Sequence, residues 1–391
     1  MIVRQFISWI RTAPAGERAE ATRALARAWL ISDLSEDDRA AAEGALLMLL
    51  DDRSPLVRQA MAEVFARSAK APAAIVQALS LDQASVALPV LEHSPLLIDA
   101  DLVDIIATGD SEMQCAIARR VNLPAPVCAA IAEVGSAAAA LELIENAFAE
   151  LAPFSRDRIV ERHGHLAAIR EAMLVLGDLP AATQVALVAK LSDTLARFVV
   201  ARNWLSADRA GRIADDARDR STINIAARSR GDDMRGLVRH LRATGQLTAG
   251  LILRALLSGN FELFDSALAE LSGLSQARVS ALLHDDGGTS LQALLQRAGL
   301  PVSTFAAFRV ALDASRETGY VDTLAGAAGL RRRMVERVLT HCATERQAAE
   351  PLLILLRRFA TEAAREEARM FCDELVVEAT MAPILHELIA A

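Results

Sequence analysis

The chain has little of what large cores and most active sites are made from. Aromatic residues are 4% of 391, with one Tyr and three Trp. A core without many rings is built from Ala and Leu. It buries less apolar surface per residue and favours many helices with narrow buried stripes. The four cysteines, Cys115, Cys128, Cys342 and Cys372, are scattered with no Cys-x-x-Cys pair. They read as small buried hydrophobes of a reduced, cytoplasmic protein. No uncharged apolar run reaches membrane-spanning length, so no membrane helix is expected. The stretch from Met1 to Ile10 has a charge inside it and no small-residue cleavage site, which argues against a signal peptide. Strand alternation and Asn-Gly hairpin signals are both missing, leaving an all-α reading.

Catalytic fingerprints are missing too. The sequence has no Gly-x-Ser-x-Gly, Walker loop, dinucleotide fingerprint or His-Glu-x-x-His. No catalytic, cofactor-binding or metal-ligating residue is therefore nominated, and no cofactor is expected. In Glu161-Arg162-His163-Gly164-His165 the two histidines stand two residues apart, so one helix face cannot hold both; zinc wants three or four ligands. A surface or capping role fits that segment better. Gly287-Gly288-Thr289-Ser290 has no Lys and follows Asp285-Asp286, so it reads as a turn before a capped helix, not a phosphate cradle.

The net charge is −8 and unevenly spread. Residues 1–150 carry 12 Arg/Lys against 21 Asp/Glu, residues 151–245 carry 16 against 11, and residues 246–391 carry 14 against 18. A general nucleic-acid binder needs a basic footprint, which this balance opposes. Only Lys70 and Lys190 are lysines, so nearly every cation is Arg. The charge changes suggest three segments: 1–150 as helical repeats, 151–245 as long helices, and 246–391 as helical hairpins.

The pattern that is present centres on Asp51-Asp52-Arg53-Ser54-Pro55-Leu56-Val57-Arg58. Ser54 is expected to cap a helix that Pro55 opens. Leu56 or Val57, with Ala60, Met61, Val64 and Phe65, then makes one apolar stripe. Arg58 is expected near the hairpin interface, contacting Asp51, Asp52 or a neighbouring carboxylate. Weaker recurrences begin at Asp82 and Asp110, 30 and 28 residues on, and Ser136 opens an Ala-rich helix. Units of this length are two short helices and a turn, stacked on their neighbours. Ser35 is a further cap, and residues 2–31 read as two helices broken at Pro14-Ala15-Gly16. Farther on, 180–203 and 206–230 read as two long helices, a hairpin suited to be a spine or a homodimer arm. Residues 348–375 and 376–390 read as two closing helices.

Two local stretches have helix-turn-helix grammar. In 268–283 a helix, a Gly turn and a second helix offer Gln276 and Arg278 to base edges. The segment from Tyr320 to Leu339 repeats the pattern with Arg331, Arg332, Arg333 and Arg337. Against a DNA role, the first supplies one cation beside Asp285 and Asp286, and a solvated basic face accounts for the second.

The Asp-x-x-Pro-x-Val-Arg signature resembles the B helix of a HEAT repeat. The stretch from Pro89 to Leu102, with Gly259-Asn260-Phe261-Glu262-Leu263-Phe264, 282–288 and Ala298-Gly299-Leu300-Pro301, resembles an uncharacterised alphaproteobacterial family of helical-repeat proteins. That resemblance covers roughly 35–315 and implies a cytoplasmic all-helical protein with no catalytic residues to carry over. The expected fold is thus all-α: stacked antiparallel helical hairpins, a HEAT-like α-solenoid, with a long-helix middle segment. The expected function is a non-enzymatic protein-interaction scaffold or adaptor with an unidentified protein partner. A DNA-binding regulator is the competing reading. A HEAT-like DNA glycosylase is a third, opposed by the wide separation of Trp9, Trp29 and Trp204.

Overall fold

The computed structural model describes residues 9–10, 12–284, 289–317, 324–344 and 350–389. Among them there is no strand, only an isolated bridge in which Leu123 and Ala149 pair. The fold is all-helical, with neighbouring helices packed against each other as in a solenoid. The chain divides into two compact units, residues 1–179 and 180–391. This division follows packing. The 1–150, 151–245 and 246–391 segments follow surface charge, and the two partitions do not coincide.

The first unit holds α1 (Ala15–Ile31), α2 (Glu36–Leu49), α3 (Pro55–Phe65), α4 (Ala73–Ser80), α5 (Ala84–His93), α6 (Asp99–Thr108), α7 (Ser111–Ala118), α8 (Ala125–Val134), α9 (Ala137–Glu145), α10 (Pro153–His163) and α11 (Ala167–Val175). Every second helix stacks on the last: α1 on α3, α3 on α5, then α7, α9 and α11, while α6, α8 and α10 form the facing layer. The four sequence signatures, Asp52, Asp82, Asp110 and Ser136, each stand just ahead of a helix of the first layer, α3, α5, α7 and α9.

Polar side chains set the spacing between repeats. Asp52 accepts two hydrogen bonds from Arg18 of α1, at 2.9 and 2.7 Å, and one from the Ser54 amide. One repeat later, Asp82 accepts from Arg58 of α3 and from the Gln83 amide, and Arg58 also donates to the Asp52 carbonyl. Burial pushes both carboxyls up. Their arginines and amides outweigh it and hold them below the usual carboxylate range. Farther along, Arg120 donates to the Leu91 and Ser94 carbonyls, and Arg162 to those of Ala132 and Gly135, closing the ends of α5 and α8. Val57, Met61 and Phe65 are fully buried as their spacing predicts, and Phe65 meets Trp29 edge-on at 6.1 Å.

Ser54 departs from expectation. It makes no side-chain cap; Asp52, two residues earlier, binds the Ser54 amide instead. Its carboxylate is the better acceptor and is already held by Arg18. Pro55 does open α3, and Ser35 and Ser136 do cap α2 and α9. The break at Pro14 is observed as the start of α1, while most of the helix expected before it lies outside the described residues.

The second unit holds α12 (Ala181–Ala201), α13 (Ala207–Ala226), α14 (Gly231–Ala243), α15 (Ala249–Leu257), α16 (Phe261–Ser272), α17 (Gln276–Leu283), α18 (Thr289–Arg297), α19 (Phe305–Glu317), α20 (Leu324–Thr344) and α21 (Glu350–Ile389). The long hairpin is α12 and α13, but α13 stops at Ala226, short of the expected 230. Phe264 and Phe308, 6.0 Å apart, centre a Leu-rich core drawn from α15 to α21. Two closing helices were expected at 348–375 and 376–390; a single helix, α21, runs through both. Of the turn read at Gly287-Gly288-Thr289-Ser290, the two glycines lie outside the described residues, and Thr289 opens α18.

Candidate anion-binding cleft

The second unit carries a cleft of about 680 Å³ walled by α13, α15, α20 and α21. Seven arginines line it: Arg220, Arg254, Arg331, Arg357, Arg358, Arg365 and Arg369. Its two carboxylates are Glu362 and Glu366.

At its base lies Arg254, 5% exposed. One guanidinium nitrogen donates to Asp216 at 2.6 Å and the other to Glu362 at 2.7 Å. The guanidinium sits over the Phe359 ring at 4.2 Å, a cation–π contact that the low local dielectric strengthens. Its Nε has no hydrogen-bond partner. Asp216 also binds Arg358 at 3.0 Å and Arg220 at 3.6 Å, so one carboxylate ties α13 to α15 and α21. One turn along α13, burial pushes the Asp219 carboxyl up to about 6; Arg254 opposes the rise, and Asp216 and Asp215 add to it.

The upper wall differs. Arg331 is bound to Glu366. Arg357, Arg365 and Arg369 are exposed and pair with no carboxylate among the described residues. Steps of four and eight place them with Ile354 and Thr361 along one face of α21. From Ile354 to Arg369 that face is about 22 Å long at the α-helical rise. Exposed cations in no ion pair, above an ion-paired floor, make a surface that attracts extended anions.

The residues singled out from sequence are not brought together. Arg331 enters the cleft. Arg332 instead pairs with Glu336 and Glu367, both at 2.8 Å. Arg333 and Arg337 are exposed on the same helix. The turn expected between residues 320 and 339 is absent from 324 onward, because α20 is one uninterrupted helix; Tyr320 lies outside the described residues. The 268–283 hairpin is observed as α16 and α17, with Gly273 at φ +68° in the left-handed conformation that closes α16. Gln276 and Arg278 are both exposed, and Gln276 borders a second cleft with Arg235, Arg239 and Arg242. Two of those cations are already matched, Arg235 to Asp232 and Arg242 to Glu270. Asp285 and Asp286 lie outside the described residues.

His163 contacts the Gly135 carbonyl at 3.3 Å, a capping role. Among the described residues no group of three or more His, Cys, Asp or Glu is arranged to hold a metal ion. No helix among them is long and apolar enough to cross a membrane.

Sequence reading missed Arg357, Arg365 and Arg369. The signal was available as cations at i, i+8 and i+12, but Glu362, Glu366 and Glu367 between them mimic ordinary i,i+4 pairing. Only the fold shows that those carboxylates turn to Arg254, Arg331 and Arg332.

A family model described as "Uncharacterised protein conserved in bacteria (DUF2336)" matches residues 86–347, two thirds of the chain. The chain belongs to this family. No curated protein and no solved structure matches it. The matched segment supplies Arg220, Arg254 and Arg331 of the cleft, while α21 lies beyond it. Set against the sequence resemblance at 35–315, the match begins and ends later.

Proposed function

We propose that this DUF2336 protein is a non-enzymatic, cytoplasmic binding module that captures an acidic segment of a protein partner in the arginine-lined cleft. The observation that carries the reading is the row of uncompensated cations Arg357, Arg365 and Arg369 on one face of α21. A face of about 22 Å suits six or seven residues of extended chain at about 3.3 Å each. It is long for a small metabolite. Ile354, half exposed at one end, adds an apolar contact.

Duplex DNA is a weaker fit. Three free cations release few counterions, so both affinity and salt slope stay small. The α16–α17 hairpin adds Arg278, and α14 beside it adds Arg239, neither with a carboxylate partner among the described residues.

Fluorescence anisotropy with a labelled eight-residue Glu-rich peptide tests the proposal. Binding at ~150 mM salt should weaken about tenfold or more in an Arg357→Glu, Arg365→Glu, Arg369→Glu triple variant of unchanged melting temperature. Equal binding by both proteins refutes it.

A further inference from the structure

The outer end of the α12–α13 hairpin presents an apolar surface that the unit's own packing leaves open. Ala181 and Val185, at the start of α12, lie in a core with Ile223, Met234 and Leu237. From Leu191 onward only Ser192 is buried. Yet the apolar stripe continues. Val188, Leu191, Leu195 and Phe198 follow at steps of three, four and three, the spacing of a coiled-coil seam. Leu191, Leu195 and Phe198 are 38%, 54% and 47% exposed. At the tip Trp204, 65% exposed, packs edge-on against Phe198 at 5.7 Å. Arg202 lies over the Phe198 ring at 5.2 Å.

We infer that a second copy of this chain covers this face, the two hairpins pairing across a two-fold axis as a four-helix bundle. Two observations select that occupant. First, seam spacing suits a partner helix of the same kind, and a hairpin end that meets its own two-fold mate closes without leaving an open surface. Second, the exposed fractions of Leu191, Leu195, Phe198 and Trp204 amount to about two whole side chains, on the order of 400 Å². A stable interface buries about 800 Å² per partner with somewhat over half of it apolar, so the patch supplies most of the apolar part. The rim carries Asp193 and Asp208 against Arg197, Arg202, Arg209 and Arg212, a net positive charge, so pairing should tighten as salt is raised. The inference is independent of the cleft, which lies on other residues.

Sedimentation velocity of the full chain between ~1 and ~100 µM tests it, with Leu195→Glu and Phe198→Ala/Trp204→Ala as variants. The wild type should form a dimer, and each variant should raise the dissociation constant about tenfold or more. Leu174→Glu, on an exposed site of the first unit, should leave the dimer unchanged. Circular dichroism melting checks that each variant is folded, and two variants guard against one failing to fold. A wild type that stays monomeric across this range overturns the inference: the face is then covered by another partner or by the chain itself. A dimer insensitive to both variants overturns it as well.

Discussion

Arg254 and Asp216 meet at 2.6 Å beneath the cleft, where Arg254 is almost wholly removed from water. A buried cation is costly unless it is paired, and this one is shared between Asp216 of α13 and Glu362 of α21, with only its Nε left without a partner. The pair thus joins three helices that are far apart in sequence. It also spends the floor's negative charge, which is why the arginines above remain uncompensated.

Replacing Arg254 by Met should cost about 3 kcal/mol, because it removes the buried cation shared by Asp216 and Glu362 and leaves them only the outer arginines Arg220 and Arg358. Urea unfolding monitored by circular dichroism checks this. Arg365→Met, on the exposed wall, should change stability by less than about 0.5 kcal/mol.

The first unit makes its own prediction. Phe65 is fully buried against Trp29. Phe65→Ala should cost about 3–5 kcal/mol through lost burial and a cavity. Leu56→Ala, on the exposed side at the start of the same helix, should cost little. Equal melting temperatures for wild type and the Phe65 variant would mean that the buried face of α3 is misassigned.

A pH prediction follows from Asp219. Its folded carboxyl titrates at about 6, above the ordinary 3.9 of the unfolded chain. The folded state therefore holds the proton more tightly between these values. Stability from this group is fully present below pH ~4 and is lost as pH rises toward ~6. Asp219→Asn should be neutral to stability near pH 4 and stabilising by about 2 kcal/mol at pH 7.5. Asp52 and Asp82 carry the opposite sign. Their depressed carboxyls stabilise the first unit at neutral pH and lose that contribution as pH falls through the acid range. Denaturant titrations of wild type and Asp219→Asn at the two pH values separate these contributions.

Much of the first unit was legible because its determinants are local. A helix start and an apolar stripe recur every 26 to 30 residues behind Asp52, Asp82, Asp110 and Ser136, and each marks a helix of one layer. Arg58 next to Asp82 follows from the same grammar, since the next repeat brings its acid alongside. What was not legible depends on distance. The Arg254–Glu362 pair spans 108 residues, and no local pattern marks it. The two closing helices expected at 348–375 and 376–390 are one continuous helix, α21. The Arg331, Arg332 and Arg333 run looked like a free basic patch, but two of its three members face carboxylates on α21.

Affinity capture from a native bacterial lysate, with wild type and the Arg357→Glu, Arg365→Glu, Arg369→Glu variant as parallel baits, tests the central claim most directly. The account predicts a protein with an acidic segment that wild type retains at ~150 mM salt and the variant loses. Recovery of the same proteins by both baits, or of nucleic acid as the retained species, would contradict it.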